Sequence, residues 1–235
     1  MTATVTGETF DPAMISGFPE PAHRWLRHAI APGTPLWGSV QLTMHGQIKL
    51  GRWRPFTARQ VLSPPGGYTW AATARLAGLP VTGYDRLISG AGEMRWRLLR
   101  LFPVLTAAGP DITRSAYGRM AGEIVLIPTA FRTAAWARSE HANTAVATWQ
   151  FGDETESAEL RLKRSGRLAE IQVNRWGNPG GAPFGRYPFG VRVEAERRFG
   201  GITIPSVFRA GWWWGTERQH EGEFFRAEIT GAVFS

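Results

Sequence analysis

Arg119 and Glu123 stand four residues apart in the run Tyr117-Gly118-Arg119-Met120-Ala121-Gly122-Glu123, a spacing that puts both on one helix face within ion-pairing reach. On a solvated helix such a pair contributes only about 0.3–0.5 kcal/mol. Turned toward an apolar cavity it does chemistry. Burial raises a carboxyl pKa and a neighbouring guanidinium lowers it, so Glu123 becomes a tunable general acid or base whose pKa is set by Arg119. A second group is His45 with Asp85 and Arg86, on neighbouring strand-like segments. His45 is the only side chain of the early strands belonging to a residue type whose unperturbed pKa lies near neutrality, and Asp85 would orient its ring. His45 alternates against Val40, Leu42 and Met44, so it acts only if the face opposite that apolar set lines a cavity. The candidate catalytic residues are Glu123, His45, Asp85 and Arg119.

Other catalytic signatures are missing from the chain. It has no G-x-S-x-G elbow, P-loop, H-E-x-x-H pair or strand-to-helix G-x-G-x-x-G. It has no cysteine, which excludes disulfides, thiolate zinc sites and a cysteine nucleophile. The five histidines (His23, His28, His45, His141, His220) lack metal-ligand spacing. The expectation is no metal and no cofactor.

The elements that would position these groups are mostly strands. Residues 19–30 read as a short first helix, with Trp25, Leu26 and Ile30 on one face. From residue 38 the period becomes two. Strands are expected at 38–44, 70–76, 81–89, 93–99, 145–151, 157–163, 168–176, 189–199, 202–210 and 224–234. Residues 111–127 break this pattern, because Tyr117, Met120, Ala121, Ile124 and Val125 recur at helical spacing. Asp111 or Thr113 would cap that helix and Pro128 end it. About ten strands exceed what a flat open sheet holds. The predicted fold is therefore mainly β, a large curled antiparallel sheet forming a half-barrel or open barrel. An N-terminal helix accompanies it, and a central helix crosses its concave face. It is expected as one domain over residues 1–235, with residues 1–18 a poorly ordered arm.

Eleven tryptophans in 235 residues exceed the needs of a core this size. Together they point to a wide apolar pocket of the kind small molecules occupy. Trp70, Trp96, Tyr117, Trp149, Trp176 and Trp213 are the candidate ligand-binding residues. The net charge of +8 is carried almost wholly by arginine, since Lys49 and Lys163 are the only lysines. Residues such as Arg161, Arg175, Arg192, Arg209 and Arg226 are scattered over strand-like runs, which describes solvated sheet faces and no nucleic-acid stripe. Residues 1–21 carry neither the basic start nor the apolar run of an export signal, and no apolar stretch is long enough to span a bilayer. The expectation is a cytoplasmic protein with no membrane span and no nucleic-acid partner. The sequence specifies no oligomeric state.

Several runs carry a resemblance. Residues 40–49 (Val-Gln-Leu-Thr-Met-His-Gly-Gln-Ile-Lys), 53–60 (Trp-Arg-Pro-Phe-Thr-Ala-Arg-Gln), 83–86 (Gly-Tyr-Asp-Arg), 90–94 (Gly-Ala-Gly-Glu-Met), 119–128 and 201–205 resemble an uncharacterised bacterial family, a domain of unknown function. The likeness runs over roughly residues 19–233. It implies a fold similar to the half-barrel of lipoprotein carriers, which hold acyl chains against a concave apolar face, and it implies no activity. Two departures stand out. Leu126 occupies a position, two residues before the helix-ending proline, where the family usually has Trp, and Trp212-Trp213-Trp214 is unusually rich.

Two functional readings follow. In the first, the chain is a cofactor-independent enzyme of specialised metabolism that binds an apolar, polycyclic or polyketide-like molecule. It would promote cyclisation, isomerisation or hydrolysis by shape and one acid/base group. In the second, it is a non-catalytic carrier or sensor of a lipid or aromatic ligand.

Overall fold

Apolar and polar residues alternate through most of the chain, and each alternating run folds as a strand with one face buried. The computed structural model describes residues 7–235. Among them are thirteen strands: β1 (Val40–Leu50), β2 (Arg52–Ser63), β3 (Gly67–Leu76), β4 (Leu79–Ile88), β5 (Ala91–Leu98), β6 (Phe102–Ala108), β7 (Ala135–Arg138), β8 (Thr144–Phe151), β9 (Glu154–Leu162), β10 (Leu168–Gly177), β11 (Gly185–Phe199), β12 (Ile202–Trp212) and β13 (Glu223–Phe234). They form one sheet in the order β6-β5-β4-β3-β2-β1-β13-β12-β11-β10-β9-β8-β7. Two meanders, β1 to β6 and β7 to β13, meet where β1 pairs antiparallel with β13 and Val40 faces Phe234.

The helices are α1 (Glu20–Ala29), α2 (Pro110–Glu123) and the single turn α3 (Gln219–Gly222). α2 packs against β4, β5 and β6 on one arm of the sheet and against β8, β9 and β10 on the other. Those arms lie at opposite ends of the strand order, so the sheet curls far enough for one helix to touch both. The protein is thus mainly β, an open curled sheet with a helix across its concave face. α1 buries Ala22, Trp25, Leu26 and Ala29 against β7, β8 and β12. A side chain such as Leu26 contributes roughly 1.5–3 kcal/mol by that burial.

Three strands exceed the ten expected from the alternation, and each has a local reason. In β2 the inward series is Phe56, Ala58, Gln60 and Leu62, so a polar residue interrupts the apolar phase and Pro55 weakens the signal further. β6 is an edge strand with Phe102, Val104 and Leu105 all exposed, which leaves no buried face to alternate against. β7 has only four residues.

Two other expectations are corrected. Residues 7–18 are packed, because Phe10 and Ile15 are fully buried in the core and Phe10 N–H donates to the Thr34 carbonyl at 2.7 Å. Residues 1–6 of the expected arm lie outside the described residues. At the start of α2 neither Asp111 nor Thr113 caps, and Gly109 holds the N-cap with φ 107°. Asp111 accepts the Trp176 indole N–H at 2.9 Å. Thr113 Oγ1 accepts Gly92 N–H at 2.9 Å, pinning the helix to β5. At the other end α2 stops at Glu123, and residues 124–126 tighten into a 3-10 turn before Pro128.

On the outer face the arginines join strands. Arg86 and Arg95 clasp Glu93, Arg161 and Arg192 clasp Glu170, and Arg209 holds Glu194 and Glu223. Exposed pairs of this kind contribute about 0–1 kcal/mol each. Arg175 departs from the solvated-face reading. It shares parity with the buried Ile171 and Val173 and therefore points inward.

Candidate functional site

α2 lies over the concave face with Arg119 and Glu123 turned inward. Arg119 Nε donates to Glu123 Oε1 at 2.7 Å and its NH1 donates to Asp85 Oδ2 on β4 at 3.1 Å. The remaining carboxylate oxygens are also taken. Gln60 Nε2 donates to Glu123 Oε2 at 2.6 Å, and the Trp96 indole N–H donates to Asp85 Oδ1 at 2.9 Å. The Arg119 guanidinium lies 4.8 Å from the centre of the Tyr68 ring and 5.3 Å from that of Trp70, close enough for cation–π attraction. Side-chain exposure is 16% for Arg119, 16% for Asp85 and 22% for Glu123. This is a buried network that ties helix to sheet.

The electrostatics follow from burial and pairing. Burial disfavours the Arg119 cation, but Glu123, Tyr68 and Asp85 together outweigh it and its pKa rises. Burial raises the Asp85 carboxyl above its ordinary value against the opposing pull of Arg119 and Trp96. Burial also pushes the Tyr68 hydroxyl up to about 12, with Arg119 acting in the other direction.

Between α2 and the sheet is a cavity of about 320 Å³. Met44, Trp70, Val191, Phe208 and Phe225 of five strands form its floor, and Ser115, Arg119, Glu123, Val125 and Leu126 its roof. Asn178 and the 38% exposed Phe184 border it where the wall reaches the surface. Arg175 reaches it from β10, with its guanidinium 5.0 Å from the Phe189 ring centre and 5.1 Å from that of Trp212. Its Nε donates to the Ser115 carbonyl at 3.1 Å and its NH2 to Ser115 Oγ at 3.3 Å. Burial pulls the Arg175 pKa down to about 10, with Tyr68 opposing most strongly, Arg119 adding to the fall, and Glu123 and Asp85 opposing it.

Of the residues singled out in the sequence, Glu123, Arg119, Asp85 and Trp70 come together at this cavity. His45 does not. It alternates outward from the buried Met44, is 54% exposed at its side chain, and lies 3.9 Å from Glu228 on the outer face. Asp85 faces inward, so a His45–Asp85 pair cannot form. Arg86 is likewise outside, on Glu93. Trp96 packs on Trp70 at 5.7 Å and supports Asp85 from behind the wall. The other aromatic candidates lie elsewhere. Tyr117 stacks on Phe151, and Trp149 is buried with its N–H on Thr133. Trp176 bonds Asp111 and lies beneath Arg114. Trp213 packs on Tyr187 and Arg218. Bulk aromatic content misled here, since most of these rings fill strand ends. The wall is instead built largely from Phe189, Phe208, Phe224, Phe225 and Trp212. Gln60 and Arg175 carried a legible signal, a polar residue in the apolar phase of a strand.

Among the described residues no cluster of three or more His, Asp or Glu side chains is placed to hold a metal ion, and no helix is long and apolar enough to cross a membrane. A family model described as a family of unknown function (DUF6544) matches residues 8–224. The chain belongs to the DUF6544 family. The matched span takes in all the runs that carried the resemblance; of the two departures from the usual pattern, Leu126 falls on the cavity wall of this DUF6544 protein, while of the Trp212-Trp213-Trp214 cluster only Trp212 does. No curated protein matches it. Solved structures similar to the DUF6544 chain include a putative outer membrane lipoprotein-sorting protein domain from Vibrio parahaemolyticus, at 10% identity over 85% of this chain and 86% of that one, with TM-score 0.44. A DUF1329 family protein from Desulfovibrio piger matches at 11% identity over 96% and 94%, with TM-score 0.47. A LolA superfamily protein from Nitrosomonas europaea matches at 8% identity over 92% of each chain, with TM-score 0.47.

Proposed function

We propose that this protein holds one apolar small molecule in the cavity beneath α2 and carries or senses it without transforming it. The observation that carries this reading is the contrast between an apolar floor and two carboxylates, at the roof and wall, whose four oxygens each accept a hydrogen bond within the network. A general base needs a lone pair aimed at the reacting atom, and here every oxygen already has one of its two acceptor sites committed to Arg119, Gln60 or Trp96, which favours a bracing role for both carboxylates. The volume suits a single acyl chain or a compact ring system, at the lower end of the ~300–1,000 Å³ of small-molecule sites.

The test is binding of simple apolar probes, decanol and a naphthalene dye, to the purified protein. Trp70 and Trp212 line the cavity, so an occupant alters tryptophan emission. At a hundred times its Kd a ligand stabilises the fold by about 2.7 kcal/mol, and each kcal/mol lifts Tm by roughly 2–4 °C in a chain of this size. Unchanged emission and unchanged Tm with every probe would overturn the reading. A second reading, a cofactor-independent enzyme, draws on one observation, that Glu123 lines the cavity. Glu123→Gln separates the two: a carrier keeps its probe affinity, and an enzyme keeps affinity while losing roughly 10²-fold or more in turnover.

A further inference from the structure

The cavity holds four charged side chains, and their bonding is unequal. Asp85 and Glu123 both pair with Arg119, and Trp96 and Gln60 each donate to the second oxygen of one of them. Arg175 has only neutral partners, both on Ser115. Among the described residues no carboxylate forms a salt bridge with it, its hydrogen bonds go only to Ser115, and its NH1 nitrogen is not among the buried nitrogens left without a partner, so NH1 is open to an occupant or to water. A guanidinium offers five N–H donors in a rigid fork suited to two oxygens side by side. A half-buried cation lacking a counter-charge is costly to keep, and an apolar residue of similar length would pack there at lower cost.

The surroundings of Arg175 are also cleared for it. A Cβ on Gly118 of α2 would lie 2.9 Å from Arg175 Cγ, so the glycine lets the arginine stem pass beneath the helix. A Cβ on Gly177 would lie 2.5 Å from the Trp212 ring, so that glycine lets the indole lie beside the guanidinium. Both substitutions of space for side chain serve the placement of one cation at the rim of an apolar chamber.

We propose that the occupant is an apolar carboxylate, with its head bound by Arg175 and its body lying along Val191, Phe208 and Phe225. This rests on the binding reading above and adds the chemical class of the ligand. The carboxylate supplies the two acceptors that the Arg175 fork lacks, while the bonded Asp85–Arg119–Glu123 network stays unchanged. A purely bracing role for Arg175, holding α2 through Ser115, requires no ligand charge and makes the opposite prediction.

The experiment compares decanoate with decanol on the wild type and on Arg175→Gln, by titration calorimetry at neutral pH. A hydrogen-bonded charge in such a site corresponds to about 10-fold or more in affinity. The wild type should therefore bind decanoate at least about 10-fold more tightly than decanol. Arg175→Gln should lose that preference while keeping decanol affinity within about 2-fold, and retained decanol binding doubles as the check that the variant folds. Arg175→Lys, which keeps the charge and loses the fork, should fall between them. Equal affinity of the two probes for the wild type, or undiminished decanoate preference in Arg175→Gln, would overturn the head-group assignment and leave apolar binding standing. Failure of both probes to bind the wild type would overturn both.

Discussion

Gly118 of α2 faces the Arg175 stem so closely that a Cβ built on it would lie 2.9 Å from Arg175 Cγ and 3.5 Å from Glu156 Oε2. The opposing atom is mid-stem, and Arg175 is fixed beyond it by Ser115 and two aromatic rings. A helical Gly→Ala change ordinarily stabilises by roughly 0.8–1 kcal/mol. Gly118→Ala should reverse that sign and cost about 1–3 kcal/mol by overpacking. Gly122→Ala is the internal control, because its Cβ would meet Val173 Cγ2 at an ordinary 3.5 Å and the propensity gain should appear. Urea midpoints at unchanged slope measure both. Stabilisation by both substitutions would refute the close approach of α2 to Arg175.

Arg119 answers two inward carboxylates at once. Arg119→Met should therefore leave Asp85 and Glu123 uncompensated and cost about 3–5 kcal/mol, the usual penalty for removing one member of a buried ionic group. Adding Asp85→Asn and Glu123→Gln should return part of that loss, since no charge then remains stranded. Thermal unfolding of the single and triple variants tests this. Additive losses would mean the three side chains do not form one network.

The sheet and its curl were legible because ten strands alternate cleanly, and Phe189, Val191 and Val193 against Gly190, Arg192 and Glu194 are typical. The site was half legible. The Arg119–Glu123 pair follows from helical spacing, but which way it points depends on where α2 meets the sheet, and that is fixed by contacts distant in sequence such as Thr113 with Gly92. His45 was misplaced because a residue opposite an apolar phase lines a cavity only if the sheet curls that way, and the apolar face proved concave. Gln60 and Arg175 were passed over because they break the strand pattern, although buried polar residues in an apolar phase are where function tends to override packing.

Tyr68 should titrate late. Burial lifts its pKa from 10.0 to about 12, so the folded state keeps a proton that the unfolded chain has lost between those values. Stability from this group is fully present below pH 10 and disappears as pH rises through 12, amounting to about 3 kcal/mol at 1.36 kcal/mol per unit. The stability difference between wild type and Tyr68→Phe should shift by that order across the window. In phenolate absorbance, one of the four tyrosines should ionise last and vanish from the Tyr68→Phe titration. Coincident ionisation of all four would contradict the burial of this hydroxyl beneath α2.

Decanoate affinity should have an acid limit that decanol affinity lacks. Burial pulls the Arg175 pKa down, with Tyr68 from β3 and Glu123 and Asp85 opposing the fall and Arg119 adding to it, but a guanidinium keeps its proton throughout the working range. From neutral to alkaline pH decanoate and Arg175 are both charged, and affinity should be flat until the protein unfolds. Below the pKa of the free ligand's carboxyl, about 4–5 as for other carboxylic acids, binding to the cation must expel a proton, and affinity should fall toward tenfold per pH unit. Decanol, which needs no counter-charge, should stay level, and Arg175→Gln should show no such fall with either probe. Calorimetry in two buffers of different ionisation enthalpy reads the same linkage directly, as proton release on decanoate binding at about pH 4.5 and none near neutrality. Release that persists in Arg175→Gln would assign the charge contact to another group and remove Arg175 as the head-group site.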